Sequence, residues 1–159
     1  MKLMKKNGIV YATKGYSYNN KFLHTQCDEF NIHYKLYKST LVWRLKRYLL
    51  MNEKAVGIAA NQLGMNVMAF AIRRNSGKIQ VFVNPFLIQH GGEKTEDEES
   101  CLSVKGSYLV KRWDYIEFKV IEDDREVKYQ FRGWEARVVS HELDHLSGTL
   151  ISDEIHNNY

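Results

Sequence analysis

The chain has 159 residues, of which 44% are hydrophobic and 26% are charged, and its formal net charge is +4. This length fits one domain with a real core and is short for two. No run approaches the roughly 20 apolar residues of a membrane-spanning helix, and no apolar stretch follows the basic start as in a secretory signal. Two cysteines are too few for a secreted disulfide framework. We therefore expect one cytoplasmic domain over 1–159, whose scattered basic residues indicate a solvated surface rather than a specific nucleic-acid site.

The first half of the chain predicts one helix and two strands. Residues 1–20 are polar, aromatic and irregular, apart from a strand-like piece at 9–11. Leucines at helical spacing predict an amphipathic helix over 40–51, with Leu50 among its apolar positions. Segments 66–72 and 79–88 are rich in Val, Phe and Ile and predict strands, the second interrupted by Pro85.

The second half predicts a hairpin followed by a helix. Segments 115–121 and 126–131 alternate apolar and polar residues on either side of Asp123-Asp124, which predicts two antiparallel strands. Gly133 ends the second strand, and a helix is predicted over 134–146. A helix, mainly antiparallel strands and then a second helix is an α+β order.

The last predicted helix carries His141-Glu142-Leu143-Asp144-His145. Two histidines four positions apart lie one turn apart on one face, so both imidazoles can reach one metal ion, and Glu142 can reach a water bound to that metal. Trp134 and Val138 continue the same stripe, so we expect it to face inward. The alternative is an accidental pair of histidines, which the intervening glutamate and the apolar stripe disfavour.

A catalytic zinc-like site has three protein ligands and one open position. A metzincin would place its third histidine at the position occupied by Ile151. Further downstream the chain offers only Asp153, Glu154 and His156, in what we expect to be a fraying tail. Cys101 is the best upstream candidate because a thiolate is a strong, charged ligand. The alternative for a lone cysteine is a small buried hydrophobe, which is our interpretation of Cys27.

Three segments together resemble the signatures of the peptide deformylase family. They are AVGIAANQ at 55–62, ESCLS at 99–103 and HELDH at 141–145, against G-φ-G-φ-A-A-x-Q, E-G-C-φ-S and H-E-x-D-H in the family. Their order and spacing agree, and the resemblance extends over about 21–155. It implies mostly antiparallel strands packed around a central metal-binding helix, with one N-terminal helix.

The resemblance also implies a role for each matching residue. Cys101, His141 and His145 would hold one divalent ion, natively Fe²⁺, with Zn²⁺, Ni²⁺ or Co²⁺ able to replace it. Glu142 would act as general base and then as general acid. The side chain of Gln62 and the backbone N–H of Leu102 would donate hydrogen bonds to the oxyanion. The backbone of Gly57 would bind the substrate. The pocket for the methionine side chain would be lined by Val56, Trp134 and Val138.

The implied reaction releases formate from the N-formylmethionine of a newly made polypeptide. The implied enzyme is a monomer in the cytoplasm of a bacterium or of a phage-infected host cell. It would meet the nascent chain in transient proximity to the ribosome, with no membrane and no specific nucleic acid as partner. Three alternatives are a zinc endopeptidase on the same helix, a metal-stabilised binding module with Glu142 as a surface carboxylate, and a basic RNA-binding protein.

Three residues depart from the family pattern: Ala55 and Ser100 stand in place of glycines, and Lys105 in place of a frequent proline. Ala55 adds only a methyl group. Ser100 would matter if its position required a positive φ, because it precedes Cys101, and Lys105 could loosen the following loop. The divergent residues 1–20 and the early stop after the metal helix resemble the short members found in phages.

Overall fold

The computed structural model describes residues 21–153 together with the backbones of 4–6 and 9–11. Expectations for the other N-terminal residues, and for Glu154 and His156, lie outside this part of the chain. The helices are α1 (Lys35–Met51) and α2 (Gly133–Ser147), with a short 3-10 helix at Ala60–Leu63. The strands are β1 (Met4–Lys6), β2 (Ile9–Tyr11), β3 (Gly57–Ala59), β4 (Ala69–Arg73), β5 (Ile79–Val83), β6 (Phe86–Ser100), β7 (Ser107–Glu122) and β8 (Arg125–Arg132).

The described strands form three antiparallel sheets, in the orders β1–β2, β3–β4–β5 and β6–β7–β8. Two helices beside antiparallel sheets confirm the predicted α+β class. Among the described residues, no helix is both long enough and apolar enough to cross a membrane.

Strand β4 separates two apolar cores. Successive side chains of a strand point to opposite faces, so Ala69 and Ala71 contribute to one core while Phe70 and Ile72 contribute to the other. The alanine side packs against α1 through Leu41, Leu45 and Leu49. The phenylalanine side packs against α2 and the β7–β8 hairpin through Phe82, Phe118, Phe131 and Val139. The sheet β3–β4–β5 therefore lies between α1 on one face and α2 on the other.

The predicted strand over 79–88 is two strands. It breaks at Asn84, whose φ of 51° lies in the left-handed region, followed by Pro85, which has no N–H to donate to a sheet. Strand β6 then continues through the acidic segment 93–99, which apolar periodicity did not predict because nearly all of its side chains are exposed. Its end pairs Ser100 with Ser107, so Cys101 follows directly and lies beside α2.

The predicted hairpin is confirmed, with Asp123 and Asp124 at φ of 47° and 61°. Positive φ at both central residues is typical of a type I′ turn. Gly133 then turns the chain into α2 with φ 56°. Within the first turn of α2, Glu135 accepts from Arg74 Nε at 3.0 Å, and its charge suits a helix N-terminus.

One burial prediction, for Trp134, is wrong, and one apolar position of the predicted first helix, Leu50, is exposed. Leu50 is 67% exposed and lies on the side of α1 away from the sheet, because the helix begins at Lys35 and is apolar on more than one side. Trp134 is 47% exposed, because the first turn of α2 lies at the surface and the buried part of the helix begins at Ala136.

Candidate metal centre

Helix α2 and the end of β6 bring the three predicted ligands together. The rings of His141 and His145 lie one turn apart with centroids separated by 5.0 Å. Cys101 Sγ lies 3.2 Å from His145 Nε2. One ligand atom from each residue can be chosen so that all lie within 4.8 Å of one another.

This donor set fits a divalent ion. Metal–sulfur bonds of about 2.3 Å and metal–nitrogen bonds of about 2.0–2.1 Å around one zinc-like ion bring the ligand atoms to this kind of separation. The ring of His145 is 1% exposed, and its Nδ1 has no hydrogen-bond partner among the described residues. A thiolate and two imidazoles leave one position of a tetrahedral site for water.

Glu99 fixes the orientation of His141, one of the three predicted ligands. Its Oε2 lies 3.0 Å from His141 Nδ1, which leaves Nε2 of that ring for a metal, as is usual when a ligating histidine donates its other nitrogen to a carboxylate. Burial would raise the pKa of Glu99, but hydrogen bonds from Arg112 and His141 outweigh it and hold the pKa well below its usual range. Burial would also lower the pKa of His141, yet hydrogen bonds to Cys101 and Glu99 raise it to about 10.

Two arginines complete this buried network. Arg112 binds Glu99 through Nε at 2.8 Å and Nη2 at 2.9 Å, and its Nη1 donates to Asp144 at 2.6 Å. Arg137 donates to Glu99 at 2.8 Å and to the carbonyls of Val110 and Thr95. Two cations thus face two carboxylates, which offsets the cost of burying each charge.

Sequence reasoning missed this network. Glu99 and Asp144 lie within the motifs ESCLS and HELDH. A metal-binding histidine usually donates its second nitrogen to a carboxylate, and this rule could have drawn attention to both residues. The arginines gave no comparable signal, because Arg112 lies on β7 and Arg137 on α2, far from Glu99 in sequence.

Glu142 is buried beside the cluster and lies against Gly57. Its side chain is 3% exposed, and its Oε2 has no hydrogen-bond partner in the described part of the chain. Burial raises the pKa of Glu142 to about 7, which is the range in which a carboxyl group can both accept and return a proton at neutral pH. A β-carbon at Gly57 would collide with Glu142 Oε1 and lie 2.8 Å from Cδ, so the position admits only glycine without rearrangement.

Gln62 directs its amide nitrogen at the cysteine. Gln62 Oε1 accepts from the backbone N–H of Ala59 at 2.9 Å, so Nε2 is left to face Cys101 Sγ at 3.5 Å and Ser103 Oγ at 3.1 Å. The neighbouring Asn61 donates through Nδ2 to the carbonyl of His145 at 2.6 Å. The 3-10 helix is therefore tied directly to the metal helix, a contact that the sequence did not indicate.

The other predicted site residues vary in exposure. Leu102, in the turn after Cys101, is 36% exposed and Val56 is 38% exposed, whereas Val138 is buried one helical turn before Glu142. Trp134 lies one turn further back at the surface. Strand β3, which follows Val56, is at the edge of its sheet and pairs only with β4 among the described strands.

The departures from the family pattern leave the site intact. The non-glycine residues with positive φ in the described ranges are Asn84, Asp123 and Asp124, so Ser100 needs no glycine-like backbone. Ala55 is buried in the core under α1, and Lys105 is exposed. Ile151, at the place of a metzincin's third histidine, is 3% exposed and packs with Leu23 and Leu150.

Comparisons with known proteins agree with this geometry. The family model described as polypeptide deformylase matches residues 14–159. A peptide deformylase from Dictyoglomus thermophilum is 44% identical over 100 residues, which are 62% of this chain and 64% of that protein. The chain thus spans somewhat less than two thirds of the length of this relative.

Solved structures give matches over a larger share of both chains. A class I type b peptide deformylase from Acinetobacter baumannii superimposes with a TM-score of 0.77 at 26% identity, covering 90% of this chain and 97% of that one. A probable peptide deformylase from synechococcus phage S-SSM7 gives a TM-score of 0.75 at 27% identity, covering 87% and 97%.

Proposed function

Since the chain belongs to the polypeptide deformylase family, we propose that it hydrolyses the N-formyl group of peptides that begin with formylmethionine, releasing formate and a free amino terminus. The observation that carries this proposal is the convergence of Cys101, His141 and His145 beside the buried carboxyl of Glu142. The residues that surround these four supply the remaining requirements of amide hydrolysis.

A divalent ion is the proposed cofactor, held by Cys101, His141 and His145. Such an ion lowers the pKa of a water molecule and polarises a carbonyl group. We propose Fe²⁺ as the native ion, with Zn²⁺, Ni²⁺ or Co²⁺ as replacements, because a mixed sulfur and nitrogen donor set accepts all of them.

Glu142 is the proposed proton carrier. With a pKa of about 7, its carboxylate takes a proton from the attacking water and returns it to the amine nitrogen that leaves as the C–N bond breaks. Gly57 keeps this carboxylate in place because it has no β-carbon to displace it. Glu142 thus moves one of the two protons of the attacking water to the leaving amine.

Gln62 is the proposed donor to the developing oxyanion, together with the backbone N–H of Leu102. The bond from Ala59 N–H to Gln62 Oε1 fixes the amide so that its Nε2 faces the cysteine ligand. A donor oriented before the reaction stabilises negative charge that appears only in the transition state.

The substrate is proposed to bind along β3. The edge of this strand that pairs with no other described strand offers the backbone groups of Gly57 to an extended peptide, in the manner of strand addition. Val56, Trp134 and Val138 are proposed to line the pocket for the methionine side chain. The exposure of Val56 and Trp134 beside the buried Val138 suits a pocket that is open to solvent until substrate covers it.

The cellular setting follows from the substrate. We propose a single-domain monomer that acts in the cytoplasm, of a bacterium or of a phage-infected cell, on nascent chains close to the ribosome.

The test is formate release from formyl-Met-Ala-Ser by protein loaded anaerobically with Fe²⁺ and, separately, with Zn²⁺. We expect formate with Fe²⁺, near-complete loss of activity with metal retained in Glu142→Gln, and loss of metal in Cys101→Ala. An absence of formate from folded, metal-loaded protein would refute the proposal. Full metal content in Cys101→Ala would instead favour a peptidase-type ligand set.

A further inference from the structure

Helix α1 is apolar on two opposite sides. Its inner side packs on the sheet through Leu41, Leu45 and Leu49. Its outer side carries Leu36, Trp43 and Leu50, spaced seven residues apart and 79%, 53% and 67% exposed. A surface helix normally has one apolar stripe and a polar face opposite it. A second stripe exposed to water indicates a surface that meets a partner.

The charge of α1 restricts the partner. The helix contains five basic residues and no acidic one, the basic residues being Lys35, Lys38, Arg44, Lys46 and Arg47. The guanidinium of Arg47 lies 5.3 Å from the ring centroid of Trp43, so cation and apolar stripe form one surface. Pairing with a second copy of the helix would place cations against cations, which disfavours a dimer through this face. The partner is therefore anionic.

A groove runs beside the same helix, with a volume of about 340 Å³. Its wall includes three lysines and two carboxylates: Lys38 and Lys46 of α1, Lys78 immediately before β5, Glu122 and Asp123. Its apolar lining comes from Val42, Ile79, Val81, Val83, Val120 and Ile121. Lysines over an aliphatic lining suit a molecule with an anionic head and a hydrocarbon tail.

We propose that the outer side of α1 and this groove dock on the surface of a bilayer rich in anionic phospholipid. Transfer of Leu36, Leu50 and the half-exposed Met51 from water to the acyl boundary of a bilayer is favourable. A nucleic acid would bind the cations and stack on the Trp43 ring, but it would leave these aliphatic side chains in water. The metal cluster lies with α2 across the β3–β4–β5 sheet. Docking would therefore leave it open to substrate. This peripheral contact differs from the sequence-based expectation of no membrane partner.

The test is co-sedimentation of the full, metal-loaded chain with sucrose-loaded vesicles. We expect binding to vesicles of mixed phosphatidylcholine and phosphatidylglycerol, weak binding to phosphatidylcholine alone, and loss of binding in high salt. The double variant Leu36→Ser/Leu50→Ser should weaken vesicle binding by about tenfold. A matched control is Phe86→Ser/Leu109→Ser, whose residues are 63% and 60% exposed on β6 and β7, and it should bind as the parent does.

A second variant removes charge rather than apolar surface. Lys38→Gln/Lys46→Gln should weaken binding to the anionic vesicles by more than about tenfold, and it leaves the packing of the inner side of α1 unchanged. All variants should keep the parent's circular dichroism and its hydrolysis of a soluble formyl peptide.

Four outcomes would overturn the proposal. They are no binding to anionic vesicles, equal weakening by the helix and control variants, a dimer in sedimentation equilibrium that the leucine variant abolishes, and RNA binding tighter than vesicle binding.

Discussion

The backbone of Gly57 lies directly against the carboxylate of Glu142, leaving no room for a β-carbon between them. One residue is in an edge strand and the other in the metal helix, so their contact holds the proposed proton carrier at a fixed distance from the strand that would bind substrate. This contact also explains why a glycine stands at the start of β3.

Gly57→Ala should therefore displace the carboxylate of Glu142 and lower kcat by about a hundredfold, because a misplaced catalytic group loses its alignment. Metal content should stay unchanged, since no ligand is touched. The measurements are kcat on a formyl peptide and metal content by elemental analysis. Gly91→Ala is the control, because a β-carbon there meets nothing within 4 Å. Equal activity of the two variants would show that the contact has no catalytic consequence.

Glu99→Gln should weaken both stability and metal affinity. The substitution leaves Arg112 and Arg137 without their shared carboxylate in a buried position, which costs about 3–5 kcal/mol. It also removes the acceptor that orients His141, which lowers metal affinity by about 10–100-fold. Denaturant unfolding and competition with a chelator measure the two effects.

The matched control for this prediction is Glu96→Gln. Glu96 lies on the same strand but is half exposed and pairs with Lys111 at 3.8 Å, so its loss should change stability by less than about 1 kcal/mol. A similar loss of stability and metal affinity in both variants would mean that the buried network around Glu99 contributes no more to either property than an exposed ion pair does.

Cys27 should make the fold less stable at alkaline pH. Burial, with the charge of Asp28, raises the pKa of this thiol from 9.0 to about 11. The folded thiol therefore keeps its proton at pH values where the unfolded thiol has lost it. The contribution of this thiol to the free energy of unfolding is fully present below pH 9. It falls by about 3 kcal/mol as pH rises toward 11.

Comparing the parent with Cys27→Ala isolates this effect. The free energy of unfolding should fall more steeply in the parent as pH rises from 9.0 to about 11, a window set by the pKa shift of Cys27. The alanine variant should be less stable at pH 8 because a buried side chain is truncated. Parallel pH profiles for the two proteins would contradict the prediction.

Ser100→Gly should raise neither the rate of formate release nor the stability of the protein. The backbone of Ser100 does not adopt positive φ, so glycine brings no relief and costs about 0.5–1 kcal/mol of strand stability. Formate release should stay within about twofold of the parent, since no ligand moves. Its cross-strand partner gives the control, Ser107→Gly. A large rise in activity in Ser100→Gly alone would show that the serine strains the presentation of Cys101.

The proximity of the proposed ligands Cys101, His141 and His145 could be predicted because they lie in short motifs whose chemistry depends on local spacing. The positions of His141 and His145 follow from helical geometry alone, and Cys101 followed from the need for a third donor. The network around Glu99 could not be predicted in this way. Its members come from β6, β7 and α2, and the long register of the β6–β7 pair decides which of them meet.

Periodicity also failed at two particular residues. It indicates which side chains share a face of a helix, but whether another element covers that face depends on the tertiary arrangement. Leu50 and Trp134 have the predicted spacing and are nevertheless exposed, because α1 covers the sheet with its other side and the first turn of α2 lies at the surface. Strand β6 was missed for a related reason, since its acidic half has almost no buried face to produce a pattern.

The contact between Cys101 and His145 joins residues 44 positions apart. An ion bound by both would act as a reversible crosslink around the segment that contains β7, β8 and most of α2. Because the unfolded chain has no preformed site, ion binding would raise the free energy of unfolding, by about 3–4 kcal/mol when free metal exceeds the dissociation constant by about 100- to 1,000-fold. The fraction of the protein that is folded, as well as its activity, would then depend on the concentration of free metal.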